Sequence, residues 1–280
     1  MGLLLSQTKR ELQRLDLHAK KGLGQHFLID ERVLKSLISA ADLTPADTVV
    51  EVGPGLGILT RELAKKAGRV IAIEVDARLA SVLKETLAPW SNVTIINADV
   101  LGSDPQALLA EDTPYNVVAN LPYYIASAVL RHFLEASIKP RLMVVTVQKE
   151  VAQAIAAQPG KMSLLSVSVQ FYGRPTIVEY VPARSFYPAP KVDSAILRID
   201  VYDRPRVAVE DGAVFFRVVR GGFSAPRKQL HNSLAQGLEI STADAAALLK
   251  EAGISQKRRA ETLSLEEWAT IYRLFMERQC

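Results

Sequence analysis

A short β-branched run, Thr48–Val52, stops at Gly53-Pro54-Gly55-Leu56-Gly57, and helical spacing begins at residue 58 and lasts to about 67. Three glycines in five residues let the chain turn tightly and pass close to another group, with the helix opening straight after the strand. The same unit then repeats. A strand over 69–73 runs into Glu74-Val75-Asp76 and a helix over 78–88, and a strand over 93–96 ends near Asp99. A strand over 117–119 leads into Asn120-Leu121-Pro122-Tyr123 and a helix over about 126–136. The apolar strand 142–147 precedes a helix over about 149–157. Ahead of all these, 30–41 has helical spacing with Asp30 as its N-cap. Strand and helix in alternation predict an α/β fold, a doubly wound and mostly parallel sheet with right-handed crossovers.

Residues 163–172 (SLLSVSVQFY) fit helix and strand equally. Strands over 177–181 and 195–201 finish the sheet as an edge hairpin, and 182–193, with three prolines, reads as a loop. After Asp203-Arg204-Pro205-Arg206 strand signals cease. Helices are expected at about 212–220, 226–236, 242–252 and 264–278, the last opening on a capping box at Ser264-Leu265-Glu266-Glu267. The expected organisation is an N-terminal extension over 1–19, polar and mildly amphipathic in 7–19, a sheet domain over 20–203 and a small all-helical domain over 204–280.

Composition removes several classes. At 280 residues and 49% hydrophobic, the chain can bury a sizeable core and is not a disordered protein. No apolar run approaches the ~18 residues of a membrane helix. Met1-Gly2-Leu3-Leu4-Leu5-Ser6 fits the loose myristoylation pattern, but one acyl chain anchors only marginally, so no membrane partner is expected. The single cysteine, Cys280, allows no internal disulfide and no cysteine-based zinc site. That usage suits a reducing compartment, the cytoplasm. The net charge of +4 is uneven. Residues 1–29 hold five basic and two acidic side chains, 30–203 hold 17 and 19, and 204–280 hold 12 and 9. Two basic ends around a slightly acidic body suit a polyanionic partner.

In a parallel α/β sheet, ligands bind beyond the C-terminal strand ends. This chain places the Glu51–Gly57 stretch, Glu74, Asp99 and Asn120 there. Glu74 lies 21 residues after Gly53, where an acid can accept from both hydroxyls of a ribose. The turn is not G-x-G-x-x-G, because its third glycine comes one residue early, which disfavours a nicotinamide dinucleotide. Taken alone the turn is equally a structural feature; with Glu74 and Asp99 it indicates an adenosine-bearing ligand. An Asn carbonyl accepts from an exocyclic amine, a proline lacks an N–H and leaves neighbouring carbonyls to accept, and a tyrosine offers a face on which a base can stack. Asn120 to Tyr123 thus suits a reaction at an adenine amino group, although a Pro turn after a strand can also be purely structural.

Four stretches in order, Gly24-Gln25-His26-Phe27-Leu28, Glu51 to Gly57, Asn120 to Tyr123 and Phe186-Tyr187-Pro188-Ala189-Pro190-Lys191-Val192-Asp193-Ser194, resemble the bacterial small-subunit ribosomal RNA adenine dimethyltransferases of the KsgA type, over roughly residues 18–280. The resemblance implies a Rossmann-like methyltransferase sheet with a small helical domain. It implies S-adenosyl-L-methionine as cofactor, with two methyl groups placed on N6 of each of two adjacent adenosines in a hairpin loop near the 3′ end of small-subunit rRNA. It implies cofactor contacts from His26, Leu28, Gly53, Gly55, Glu74, Asp99 and Asn120, with Glu74 on the ribose and Asp99 on the adenine amine. The catalytic turn is then Asn120, Leu121, Pro122 and Tyr123, and Phe186 is the second stacking face for a flipped base. Two positions depart from the family pattern: His26 and Tyr124 stand where Asn is usual.

RNA contacts are expected from Lys20 and Lys21, from Arg217, Arg220, Arg227 and Lys228, and from Lys257, Arg258 and Arg259. The partners implied are small-subunit rRNA and the assembling small ribosomal subunit, met by a monomer. Three alternatives stand: a large-subunit rRNA adenine methyltransferase of the antibiotic-resistance type, a ribosome-assembly binding factor with secondary catalysis, and, more distantly, a dehydrogenase. Lys191-Val192-Asp193-Ser194 and the tail favour the small-subunit enzyme.

Overall fold

A computed structural model describes residues 3–15, 25–109 and 113–279. In order these form α1 (Leu3–Arg14), β1 (Phe27–Leu28), α2 (Glu31–Ala41), β2 (Thr48–Val52), α3 (Ile58–Ala64), β3 (Arg69–Glu74) and α4 (Ala77–Thr86). Next come β4 (Val93–Asn97), α5 (Pro105–Leu108), β5 (Tyr115–Asn120), α6 (Ala126–Glu135), β6 (Leu142–Gln148), α7 (Lys149–Ile155) and α8 (Leu164–Tyr172). Then follow β7 (Gly173–Val181), β8 (Phe186–Tyr187), β9 (Ser194–Val201), α9 (Gly212–Phe223), α10 (Leu230–Leu238), α11 (Thr242–Glu251) and α12 (Leu265–Glu277).

Seven strands form one sheet in the order β4-β3-β2-β5-β6-β9-β7. The first five are parallel, with Val50 opposite both Ile71 and Val117. β9 runs antiparallel beside β6. β2, all but the first residue of β3, and β5 up to Asn120 are buried, as strands with both faces covered must be. Chain order reverses between β2 and β5, so the crevice at their C-terminal ends is the switch point where such sheets bind ligands.

α2 shows how the sequence sets one element. Asp30 accepts from the Arg32 N–H as N-cap, and Val33, Leu34, Leu37 and Ala41 are buried on one side. Each large apolar side chain so buried is worth roughly 1.5–3 kcal/mol, and Leu37→Ala in this core would cost about 2–5 kcal/mol.

Four features differ from the sequence expectation, and one reading that the sequence leaves open is settled. The prolyl segment is not all loop: β8 pairs with β1, Phe27 opposite Tyr187 and Leu28 opposite Phe186. Residues 3–14 are a helix, with Leu12 packed among Phe27, Leu56 and Leu79. The ambiguous 163–172 stretch is a helix, set by a capping box at Ser163 and by Gln170, whose amide donates to the Ile155 and Ala157 carbonyls. α10 begins at Leu230, not near 226, because the Lys228 N–H closes a turn onto Ala225. Finally, the chain divides into two units. One comprises the described residues up to Ala152 with Thr176–Val201; the other comprises Gln153–Pro175 with the described residues from Tyr202 on. Residues 153–175, expected in the sheet domain, belong with the C-terminal helices because Met162, Val167 and Phe171 enter their core, with Phe171 stacked on Phe215 at 4.8 Å. Met1, Gly2, Lys20, Lys21, Gly24 and Cys280, named above, lie outside the described residues.

Candidate active site

The crevice at the β2–β5 switch point has a volume of about 190 Å³. Its walls include His26, Leu28, Gly53, Gly55, Glu74, Asp99, Asn120, Leu121, Pro122 and Tyr123. Among the described residues the acidic side chains on the walls are Glu51, Glu74 and Asp99, and neither Lys nor Arg lines them.

The glycine turn is shaped by two needs. Gly55 has φ of 59°, and a Cβ there would lie 3.1 Å from the Phe27 ring. Gly57 has φ of 74°, and its Cβ would meet Leu83 at 2.9 Å. Both positions combine a left-handed backbone with close packing, which only glycine satisfies cheaply. Glu74, at the end of β3, anchors the turn: its carboxylate accepts from the Gly55 N–H at 3.3 Å and the Asp76 N–H at 2.9 Å. Burial raises its pKa against those two bonds. Asp99 is exposed and accepts from the Leu101 N–H.

Glu51 belongs to the glycine-turn motif, and the sequence assigns it no role of its own. It is 1% exposed, and its Oε2 has no hydrogen-bond partner. Burial, with the Glu74 carboxylate adding to it, pushes its pKa up to about 8; the Thr60 hydroxyl pulls the other way but completes no hydrogen bond. A carboxylate within an otherwise apolar strand was the available signal.

Asn120 sits at the end of β5, where its amide donates to the His26 main-chain carbonyl at 3.0 Å. Only the NH₂ group can face a carbonyl, so Oδ1 is turned elsewhere as an acceptor. The Pro122 carbonyl, expected to be free, accepts from the Ile125 N–H at 3.2 Å and so keeps one lone pair. The Tyr123 ring is half-buried and stacks with the His26 ring, centroids 5.5 Å apart at 29°. Burial raises the pKa of its hydroxyl, which is hydrogen-bonded to Ser194. The His26 Nδ1 donates to the Pro188 carbonyl at 2.7 Å. Val75, Leu101 and Tyr124 leave exposed apolar surface on the crevice wall, Tyr124 being 59% exposed.

Phe186 is the residue the crevice does not contain. It is 2% exposed within the apolar core that includes Leu28, Val33 and Leu34. Its place in β8, opposite Leu28, fixes it inward, so the expectation of a second stacking face at Phe186 is corrected.

In the second unit, Arg217, Arg220, Arg227, Lys228, Lys257 and Arg259 are exposed. Arg217 also lies over the Phe275 ring and Arg259 is 4.0 Å from Glu261. Two hydrogen bonds, Leu230 N–H to Arg258 carbonyl and His231 Nδ1 with the Gln256 carbonyl, tie the 227–228 turn to the 257–259 turn. Arg258 is different. Its guanidinium bonds Glu267 and both the hydroxyl and carbonyl of Thr262. Those bonds fasten the N-terminus of α12, and this corrects its expected role as an RNA contact. Among the described residues no helix is long and apolar enough to cross a membrane, and no group of three His, Cys, Asp or Glu could hold a metal ion.

Comparison with known proteins gives four similarities of note. A family model described as ribosomal RNA adenine dimethylase matches residues 17–277. A ribosomal RNA small subunit methyltransferase A of Dehalococcoides mccartyi is 52% identical over 280 residues, 99% of this chain and 95% of that protein. Among solved structures, the 23S rRNA methyltransferase ErmE superposes with a TM-score of 0.70 at 31% identity, covering 89% of this chain and 98% of that one. A dimethyladenosine transferase from Plasmodium falciparum shares the fold, with a TM-score of 0.76 at 23% identity over 91% of this chain and 98% of that one.

Proposed function

The chain belongs to the ribosomal RNA adenine dimethylase family, and from that premise we propose that its crevice moves methyl groups from S-adenosylmethionine to N6 of two adjacent adenosines in a hairpin loop near the 3′ end of small-subunit rRNA. The enzyme is an rRNA adenine dimethyltransferase. The small-subunit substrate rests on the 52% identity, over nearly the whole chain, with a ribosomal RNA small subunit methyltransferase A.

The crevice fits the cofactor on three counts. Among the described residues its walls carry acidic side chains and no Lys or Arg, which suits a ligand carrying a sulfonium and an ammonium and opposes the two phosphates of a nicotinamide dinucleotide. Glu51 offers a buried carboxyl oxygen without a partner. Val75 and Leu101 present exposed apolar surface on the wall, which suits the faces of an adenine ring. Glu74 would take the ribose hydroxyls and Asp99 the adenine amine, with Val75 and Leu101 as apolar walls. His26, Leu28 and Gly53 would complete the contacts.

The observation that carries the reading is the orientation of Asn120. With its NH₂ committed to the His26 carbonyl, its Oδ1 and the carbonyls of Leu121 and Pro122 are the acceptors available to an incoming amine. An adenine amino lone pair is delocalised into the ring. Acceptors that hold its two N–H groups favour the tetrahedral amine, whose lone pair is free to attack, and no strong general base is needed. When bound, the donor supplies a sulfonium methyl whose C–S pair stays on sulfur as the amine lone pair forms the N–C bond. The surplus amine proton passes to water. Tyr123 would stack the unstacked base, worth roughly 1–3 kcal/mol, a step least costly in a single-stranded loop. The exposed basic residues of the second unit, without Arg258, would meet RNA phosphates.

The test is Asn120→Ala. Loss of a positioned polar partner at the reacting atom typically costs 10²–10³ in rate, so single-turnover methylation should fall by roughly 10²-fold with the melting temperature unchanged. Near-wild-type turnover would remove the assigned role.

A further inference from the structure

We propose that Ser194 is a positioning residue for the target-base platform: its buried hydroxyl holds the Tyr123 ring at the angle at which the base stacks. This rests on the reading that Tyr123 receives the adenine.

Ser194 is the first residue of β9, 0% exposed, in register with Gln148 of β6. Its hydroxyl and that of Tyr123 form a short hydrogen bond. The Tyr123 ring follows a proline turn at the end of β5, where the main chain alone fixes Cα and leaves the ring to rotate. A bond from its far end to a strand removes that freedom. On its stacked side stands the His26 ring, 5.5 Å away, held through Nδ1 by the Pro188 carbonyl. One segment therefore grips both rings, Pro188 holding His26 and Ser194 holding Tyr123. The segment is itself fastened at Asp193, whose Oδ1 accepts from the Ala183 N–H and whose carbonyl accepts from the Lys149 N–H. The Lys191-Val192-Asp193-Ser194 motif, which the sequence marks without a chemical role, gains one as a clamp on the aromatic pair. A ring held in place before the base arrives gives up less freedom when the base stacks, and the gain goes into orienting the amine.

The experiment compares the full-length wild type with Ser194→Ala, Tyr123→Phe, the double variant and Ser194→Thr on unmethylated small subunits. It reads kcat, the rRNA KM, S-adenosylmethionine affinity by calorimetry, and the fluorescence of a 2-aminopurine placed at the target adenosine. Ser194→Ala and Tyr123→Phe should each lower kcat by roughly 3- to 10-fold, the worth of one hydrogen bond. Cofactor affinity should stay within twofold, and 2-aminopurine quenching should weaken. The double variant should be no worse than either single one, because both break the same bond, and Ser194→Thr should restore most of kcat. Wild-type kcat in Ser194→Ala, or losses that multiply in the double variant, overturn the proposal alone. An inactive wild type overturns the methyltransfer reading and this proposal with it. Tyr123→Phe breaks the bond without touching β9, so a folding defect in Ser194→Ala leaves the comparison decisive.

Discussion

Replacing Glu51 with Gln should make the sheet unit more stable at neutral pH and flatten its pH dependence. Glu51 is enclosed in β2, and burial lifts its pKa from the ordinary 4.5 to about 8. Between those values the folded chain keeps a proton that the unfolded chain releases. The folded state then binds more protons than the unfolded one, so stability falls as pH rises through the window. One pKa unit corresponds to about 1.4 kcal/mol, and the two pH units from 5.5 to 7.5 lie inside the window. Glu51 alone should therefore remove roughly 2–3 kcal/mol of stability over that interval. Gln has nearly the same volume and no charge to lose, so the variant lacks this slope. Its advantage over the wild type should grow by that amount from pH 5.5 to pH 7.5. The chain has two units, so the readout should report on the first. Amide hydrogen exchange in β2 and β3, measured at pH 5.5, 6.5 and 7.5 and corrected for intrinsic rates, serves that purpose. Protection curves for variant and wild type that run parallel across this range would refute the reasoning, since they would mean Glu51 is ionised in the folded protein.

Other substitutions separate the parts of the site. Glu74→Ala removes the proposed ribose acceptor together with the anchor of the Gly55 N–H, so calorimetry should show S-adenosylmethionine affinity weakened by roughly 1.5–3 kcal/mol; unchanged affinity would count against the ribose assignment. Changing Arg220 and Lys228 together to Ala should weaken rRNA binding and reduce the slope of log affinity against log salt by roughly 1.5–2. An unaltered slope excludes both from the phosphate footprint. Arg258→Ala, by contrast, should leave that slope alone and lower the melting temperature, because its guanidinium is committed to Glu267 and Thr262.

The parts of the molecule legible in the sequence are those with local causes. Thr48–Val52 carries β-branched residues up to a glycine turn, and it is a strand over that same span. Asp30 and Ser264 announce their helices through capping chemistry, and both cap as the spacing implies. The crevice residues were legible because each follows a strand, and strand ends of a parallel sheet meet. What escaped depends on distant partners. Phe186 looks like a loop aromatic until β1, far back in the chain, pairs with β8 and turns it into the core. Arg258 looks like its neighbours Lys257 and Arg259, and only the fold places Glu267 beside it. Residues 3–14 hold too few apolar positions to commit to a helix without the surface of Phe27, Leu56 and Leu79. Ser194 was visible within a motif, but a serine hydroxyl has no role until the ring it holds is known.

The central claim, that this crevice dimethylates adenosines of small-subunit rRNA, is tested most directly by the identity of the product. The full-length protein is incubated with methyl-labelled S-adenosylmethionine and small ribosomal subunits lacking these methyl groups, with large subunits in parallel. The labelled nucleotides are then released, identified by mass and mapped. The account predicts N6,N6-dimethyladenosine at two adjacent positions in a hairpin loop near the 3′ end of the small-subunit rRNA, and no label in large-subunit rRNA. Label confined to a large-subunit adenine, or no labelled dimethyladenosine at all, would contradict it.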